Sequence, residues 1–240
     1  VIRLSKIAVT VNKYLDGFSH LVMPNSCLCC KRELSIFEEE ICSFCEFELK
    51  KTYFEGFNEP SSLDKLFWGR LEVTGTYAMY YFIKGNKSQD ILHAIKYQHK
   101  KSIANSMGKR LGSFLEKMET FKGVDLIIPV PLHYKKAFIR GYNQSEEIAK
   151  GVKEILKIPI LKEGIQKRKH TESQTKKDRF ERWDNVGSNF EVVKDLIPYQ
   201  HVLLVDDVIT TGSTLEAMGR AIHNQFPHLK ISIASIALTK

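Results

Sequence analysis

The stretch VLLVDDVITTGSTL, residues 202–215, constrains this chain more than any other. A run of branched apolar residues ends on two adjacent acids, Asp206 and Asp207. Thr210, Thr211, Gly212, Ser213 and Thr214 follow before a helical pattern begins at Leu215. An apolar run without alternation suits a strand buried on both faces, as in a parallel sheet covered by helices. In such sheets ligands lie beyond the carboxyl ends of the strands. The loop then opens a helix, whose first N–H groups favour an anion. Gly212 lets the backbone close around a phosphate, and the hydroxyls of Thr210, Thr211, Ser213 and Thr214 are candidate donors to it. Two carboxylates just upstream suit the vicinal hydroxyls of a ribose, or a Mg²⁺ held by them. The pairing describes a site for a ribose 5-phosphate, with both acids expected at the solvent edge of the sheet, outside the core. An acid at a strand end also fits a Walker B site, but the G-x4-G-K-[ST] segment that a Walker site needs is absent.

The surrounding pattern agrees with a sheet of this kind. Strands are expected at 73–83, 124–132, 201–208 and 230–238, with shorter ones at 158–161 and 189–193. Between them, 88–98, 103–118, 143–157 and 213–226 carry apolar residues at helical spacing. Strand and helix alternate, which predicts a doubly wound, mostly parallel α/β sheet over 73–240. The segment 53–72 reads as an irregular connection. Residues 167–188 lack apolar periodicity and are long for a loop, which predicts a functional, mobile segment that a ligand orders.

All five cysteines fall between positions 27 and 45. Cys27 and Cys30 form one C-x2-C pair, and Cys42 and Cys45 form a second. Each such turn points two sulfurs the same way, so two of them can grip one tetrahedral Zn²⁺. Cys29, between two ligands, is an alternative to one of them. With all four positions filled by thiolates the zinc is expected to be structural, and it would hold together an N-terminal segment, 1–60, too small to bury much surface.

A net charge of +8 points to an anionic partner, either nucleic acid or a phosphorylated metabolite. The 43% hydrophobic content is that of an ordinary folded protein, and no apolar run approaches the roughly 20 residues that span a bilayer. No membrane insertion is expected. The N-terminal stretch does not read as a secretory signal, which predicts a cytoplasmic location.

The segment VLLVDDVITTGSTL resembles the phosphoribosyl pyrophosphate (PRPP) loop of the type I phosphoribosyltransferases. IIPVPLHYKKAFIRGYNQSEEIA (127–149) and KRKHTESQTKKDRFERWDNV (167–186), with the cysteine knuckles, extend the resemblance to the ComF family of competence-associated proteins. The resemblance implies a zinc finger before a phosphoribosyltransferase domain, with Mg²⁺ accompanying PRPP. It places the short pyrophosphate loop at Pro129–His133, where prolines leave Val130, Leu132 and His133 as N–H donors. It makes the basic stretch a closing loop in which Lys167, Arg168 and Lys169 neutralise departing pyrophosphate. Arg140, Asn143 and Gln144 start a helix near the same edge, as ligand contacts or as caps.

Three functions remain open on these residues. The first is a phosphoribosyltransferase acting on an acceptor that the sequence does not name. The second is a single-stranded-DNA-handling protein linked to DNA uptake in natural competence, with aromatic and basic residues interleaved in HYKKAFIRGY. The third is a PRPP sensor without catalysis. Acceptor-dependent release of pyrophosphate separates the first from the third. Oligomeric state is not legible.

Overall fold

The computed structural model describes residues 25–56, 59–97, 100–132, 134–167 and 190–239. It divides into two compact units, Val1–Glu48 and Leu49–Lys240.

In the smaller unit, a tight turn at 28–30 is closed by Lys31, whose φ of 62° lies in the left-handed region. Its N–H donates to Cys27 O at 3.0 Å, and Cys27 N–H donates to Arg32 O at 2.7 Å. Helix α1 (Ser43–Phe47) starts at Cys42. Among the described residues of this unit Leu28, Leu34, Ile41 and three of the cysteines are buried, whereas Ile36, Phe37, Phe44 and Phe47 are exposed.

The larger unit begins earlier than the sequence pattern suggested. Residues 50–52 run antiparallel beside the segment that becomes β1, with Thr52 N–H donating to Met79 O at 3.1 Å and Tyr81 N–H to Lys50 O at 2.8 Å. The stretch expected to be an irregular connection contains a 3-10 turn (Phe54–Gly56) and helix α2 (Ser62–Phe67). A capping box sets the start of α2: Ser61 Oγ accepts from Asp64 N–H, and the Asp64 carboxylate accepts from Ser61 N–H. Leu63 and Phe67, four apart, are both fully buried. One turn of helical spacing is too short to stand out in a sequence.

Then come β1 (Gly75–Phe82), α3 (Lys87–Tyr97), α4 (Lys101–Leu115), β2 (Leu126–Pro129), α5 (Tyr134–Arg140) and α6 (Gln144–Leu156). The chain continues through β3 (Ile165–Lys167), β4 (Phe190–Val192), β5 (His201–Ile209), α7 (Ser213–Gln225) and β6 (Lys230–Thr239). Four strands form a parallel sheet in the order β1-β6-β5-β2. Eight consecutive residues of β6 and the first five of β5 are buried, so both faces of the sheet are covered. The expected strand at 158–161 is a single parallel bridge, Ile160 to Ile127, on the outer side of β2. The expected strand at 189–193 is β4, paired antiparallel with β3 in a separate two-stranded ribbon.

Helices α4 and α6 approach so closely that glycine is required. A Cβ at Gly151 would lie 2.1 Å from Asn105 O, and one at Gly108 would lie 2.1 Å from Ile148 O. Because α6 also packs on β5 and β2, this contact fixes the start of α6 beside the carboxyl ends of both strands. The larger unit has the doubly wound, parallel α/β plan, and a separate four-cysteine module precedes it in the sequence. No helix among the described residues is long and apolar enough to cross a membrane.

Candidate functional site

Strand β5 does not stop at the acids. It continues through Asp206 and Asp207 to Ile209, and Asp206 pairs with Ser235 of β6. The two carboxylates therefore leave opposite faces of the strand. The expectation that both lie at a solvent edge is corrected: Asp207 is only 7% exposed, and Asp206 is half-buried. Asp206 Oδ1 accepts the Ser145 hydroxyl at 3.0 Å and the Asp207 N–H at 2.8 Å. Burial, and then the charge of Asp207, push its carboxyl up to about 7 against those two donors and Lys96. Asp207 Oδ2 lies 3.1 Å from Lys96 Nζ of α3. That oxygen is buried and has no aligned hydrogen bond, so the ammonium meets it as a charge rather than along a lone pair.

The loop after β5 has the expected form. Thr210, Thr211 and Ser213 are exposed and Thr214 is half-buried. Gly212 caps the start of α7 with φ of 70°, which strains any larger residue, and a Cβ there would sit tightly, 3.1 Å from the Phe67 ring. Thr211 Oγ1 donates to Ser213 Oγ at 3.0 Å. Gly212 offers no side chain to the helix start, so the first-turn amides of α7 present their partial positive charge to whatever lies beyond them.

Three supporting residues escaped the sequence reading. Arg70 braces the loop from the α2 side, donating to Thr211 O at 2.9 Å, to Leu66 O at 3.0 Å and to Glu216 of α7. Ser145 and Lys96 hold the two acids. Ser145 sits in the first turn of α6, just inside the N-cap Asn143, which is the one local signal that could have marked it. Nothing local marks Arg70 or Lys96.

The second loop is brought to the same edge, with one correction. Val130 N–H donates to Val205 O at 2.9 Å, so the sheet ladder has consumed it and it is not a free donor to pyrophosphate. Leu132 is half-buried, and His133 lies outside the described residues. Asn143 Nδ2 donates to Val130 O at 3.1 Å, tying the start of α6 to the end of β2. Arg140 donates to Gln144 Oε1 at 2.8 Å and lies over the Tyr97 ring at 5.6 Å. Asn143 and Gln144 are thus engaged in capping and local bridging. Just before them the Tyr142 hydroxyl donates to Ile95 O, and burial, with Glu147 and Asp207 nearby, pushes it up to about 12.

Lys167 is not on the parallel sheet. It ends β3 of the two-stranded ribbon, exposed, with its ammonium 5.5 Å over the Phe190 ring. Arg168, Lys169 and the rest of the basic loop through 188 lie outside the described residues.

In the smaller unit the sulfurs of Cys27, Cys30, Cys42 and Cys45 all lie within 4.8 Å of one another, with Cys30 and Cys42 at 3.6 Å. Zn–S bonds of about 2.3 Å place tetrahedral sulfurs about 3.8 Å apart, so the four fit one such ion. Cys30, not Cys29, completes the set. Cys42 N–H donates to Cys27 Sγ at 3.3 Å. Burial opposes ionisation of Cys27, but backbone N–H groups at Cys42, Cys30 and Cys29 outweigh it and hold the thiol at about 6. Burial pushes Cys45 up, with the neighbouring sulfurs adding to it. Four converging thiols that cannot all ionise together call for a cation among them.

Known proteins are similar to this chain. The family model described as phosphoribosyl transferase domain matches residues 140–239. Competence protein F of Haemophilus influenzae is 28% identical, over 81% of this chain and 89% of the relative. DNA utilization protein YhgH of Escherichia coli K12 is 25% identical over the same shares. Among solved structures, glutamine PRPP amidotransferase from B. subtilis, complexed with ADP and GMP, aligns at 18% identity and a TM-score of 0.39, covering 60% of this chain. The chain spans 30% of that structure. With a four-cysteine module ahead of the matched domain and the β5–α7 loop inside it, the chain is similar along most of its length to these competence and DNA-utilization proteins.

Proposed function

We propose that the β5–α7 loop binds PRPP and that the larger unit transfers its phosphoribosyl group to an acceptor, releasing pyrophosphate, in the service of DNA uptake. The observation that carries this reading is the juxtaposition of Asp206 and Asp207 with the Gly212-capped start of α7, at the carboxyl edge of a parallel sheet. In this reading the 5-phosphate takes the hydroxyls of Thr210, Thr211, Ser213 and Thr214 and the first-turn amides of α7. The ribose hydroxyls take the Asp206 carboxylate, the more exposed of the two. Leu132 N–H, Arg140 and the basic residues Lys167, Arg168 and Lys169 serve the pyrophosphate. The reaction breaks the bond from C1′ to the pyrophosphate oxygen, the electron pair leaves with pyrophosphate, and the acceptor's lone pair forms the new bond to C1′. Asp207, with its unaligned Oδ2, would hold a Mg²⁺ or its water shell, which when bound would supply charge for the leaving group. Cys27, Cys30, Cys42 and Cys45 would hold a structural Zn²⁺.

A second reading, compatible with the first, is contact with single-stranded DNA. Phe138 on α5 is 91% exposed, and its helix also carries Lys136 and Arg140. Aromatic and cationic groups presented together suit base stacking with phosphate contact.

Calorimetry with PRPP and Mg²⁺ tests the main reading. Wild type binds, and Asp206→Asn loses about ten- to a hundredfold in affinity, since a charge-assisted hydrogen bond is worth roughly 1.5–3 kcal/mol. Equal affinity for both proteins removes the phosphoribosyl assignment.

A further inference from the structure

A cleft of about 750 Å³ lies at the amino end of β1, and none of residues 210–214 lines it. Its volume falls within the roughly 300–1,000 Å³ of small-molecule sites. Helix α2 forms one wall. Ser61, Asp64 and Trp68, spaced i, i+3 and i+7, share the face turned toward the cleft, while Leu63 and Phe67 anchor the helix to the body of the unit. The start of β1, at Thr74–Thr76, and the turn that holds Met118 and Thr120 complete the lining.

The charges of this lining are separated along α2. At its amino end stand Glu59 and Asp64. The Asp64 carboxylate is held in place, with one oxygen accepting Ser61 N–H and Oγ–H, each at 2.7 Å, and the other accepting the Thr76 hydroxyl at 2.7 Å. At the far end Arg70 and Arg220 share one carboxylate: Arg70 Nε donates to Glu216 Oε2 at 3.0 Å, and Arg220 Nε donates to Glu216 Oε1 at 3.1 Å. Arg70 Nη1 is spent on Leu66 O and Thr211 O. Two cations on one acid leave one positive charge, and Arg220 is exposed, with both Nη groups outside any hydrogen bond among the described residues. The rise from Ser61 to Trp68 sets the two ends about 10 Å apart. Glu72, exposed, adds a third acid, and no ion pair engages Glu59, Asp64 or Glu72 among the described residues. Trp68 presents a ring that is 61% exposed.

We infer that this cleft binds a short peptide that carries a free carboxylate and a basic side chain. An extended tripeptide spans about 10 Å, the distance between the two ends. Its carboxylate takes the Nη fork of Arg220, in the planar geometry that guanidinium offers. Its terminal ammonium takes Glu59 and Asp64, and its basic side chain takes Glu72 and the face of Trp68. A phosphorylated metabolite would meet three acids for one spare cation, although the chain as a whole carries a net charge of +8. An uncharged apolar ligand would strip water from those charges and return nothing. Peptide binding here stands apart from the phosphoribosyl reading, because the cleft and the β5–α7 loop share no lining residue.

Chemical-shift titration of the full chain tests it, with Gly-Lys-Gly, its C-terminal amide, Gly-Glu-Gly and free lysine as separate probes. Gly-Lys-Gly binds wild type most tightly of the four. Its amide, without the carboxylate, binds about tenfold more weakly, the lower range for loss of a charge-assisted hydrogen bond. Arg220→Gln weakens Gly-Lys-Gly by a similar factor and leaves the amide unchanged, so the two losses are coupled rather than additive. Gly-Glu-Gly binds more weakly than the amide, and free lysine, too short to reach both ends, binds more weakly than Gly-Lys-Gly. The assignment is overturned if Gly-Lys-Gly does not bind, if Gly-Glu-Gly or lysine binds as tightly, or if Arg220→Gln weakens the amide as much as the free acid.

Discussion

Replacing Lys96 by Met isolates the contact that holds the second acid of the β5 pair. Met keeps most of the aliphatic stem and removes the ammonium 3.1 Å from Asp207 Oδ2. At that distance, with an effective dielectric constant of about 20, the gross attraction is about 5 kcal/mol. Much of it is offset by the desolvation of both groups. Removing one partner nevertheless strands the other, because the Asp207 side chain is only 10% exposed and its Oδ2 has no aligned hydrogen bond to fall back on. Breaking a fully buried pair in this way costs about 3–5 kcal/mol. Lys96 retains 20% exposure, and water can reach the cavity it leaves, so a loss of about 2 kcal/mol is expected. Urea denaturation followed by far-UV circular dichroism measures it. The double variant Lys96→Met/Asp207→Asn has no stranded charge and recovers most of the loss, which a double-mutant cycle reads as coupling. If Lys96→Met matches wild type to within about 0.5 kcal/mol, or if the double variant is less stable than the single, Lys96 does not hold Asp207.

Asp206 makes stability pH-dependent in a direction opposite to most carboxylates. Its folded carboxyl is raised from 3.8 to about 7, so the folded state binds more protons than the unfolded state between those values, and stability falls as pH rises through that window. Asp206→Asn flattens this part of the profile in denaturation curves taken from pH 4 to 8, even as it weakens PRPP binding; an unchanged slope refutes the assignment. Gly151→Ala places a Cβ against Asn105 O across the α4–α6 contact and destabilises the larger unit by about 1–3 kcal/mol, which thermal unfolding would reveal. Purified protein carries about one Zn²⁺ per chain by metal analysis, and Cys42→Ser lowers that content while the circular dichroism of the larger unit persists. Metal-free protein obtained without chelator refutes it.

What the sequence displayed, and what it concealed, divides by the distance over which each feature is determined. The apolar run of β5, the left-handed need at Gly212 and the long stripes of α4, α6 and α7 are properties of neighbouring residues, so they are legible as patterns. The cysteine pairs are legible for the same reason. The ambiguity between Cys29 and Cys30 needed coordinates, because both lie in one tight turn and only sulfur direction separates them. Lys96 and Ser145 reach the acids from 111 and 61 residues away, Arg70 reaches Glu216 from 146 residues away, and no local spacing predicts such meetings. Asp207 was expected near solvent because it follows the apolar run, where the strand was expected to end at the edge of the sheet. It lies inside because the strand continues past it and a distant ammonium compensates its charge. Val130 was expected to be a free donor because prolines flank it, yet parallel pairing with β5 reaches one residue beyond Pro129.

The brace formed by Arg70 has a consequence for how the protein responds to a ligand. Its guanidinium joins Leu66 O, Thr211 O and Glu216, while the Phe67 ring packs 3.1 Å from where a Cβ on Gly212 would sit. Residues 61–71 and the loop that follows β5 are therefore expected to open and close together, as one unit of local unfolding. A fragment trimmed to begin at 73 would lose that partner surface and leave the loop unsupported on one side. In the intact chain, a molecule that settles into the loop draws part of its binding free energy from ordering this flank. Slowed amide exchange on binding would then extend back to α2, well beyond any residue the molecule touches.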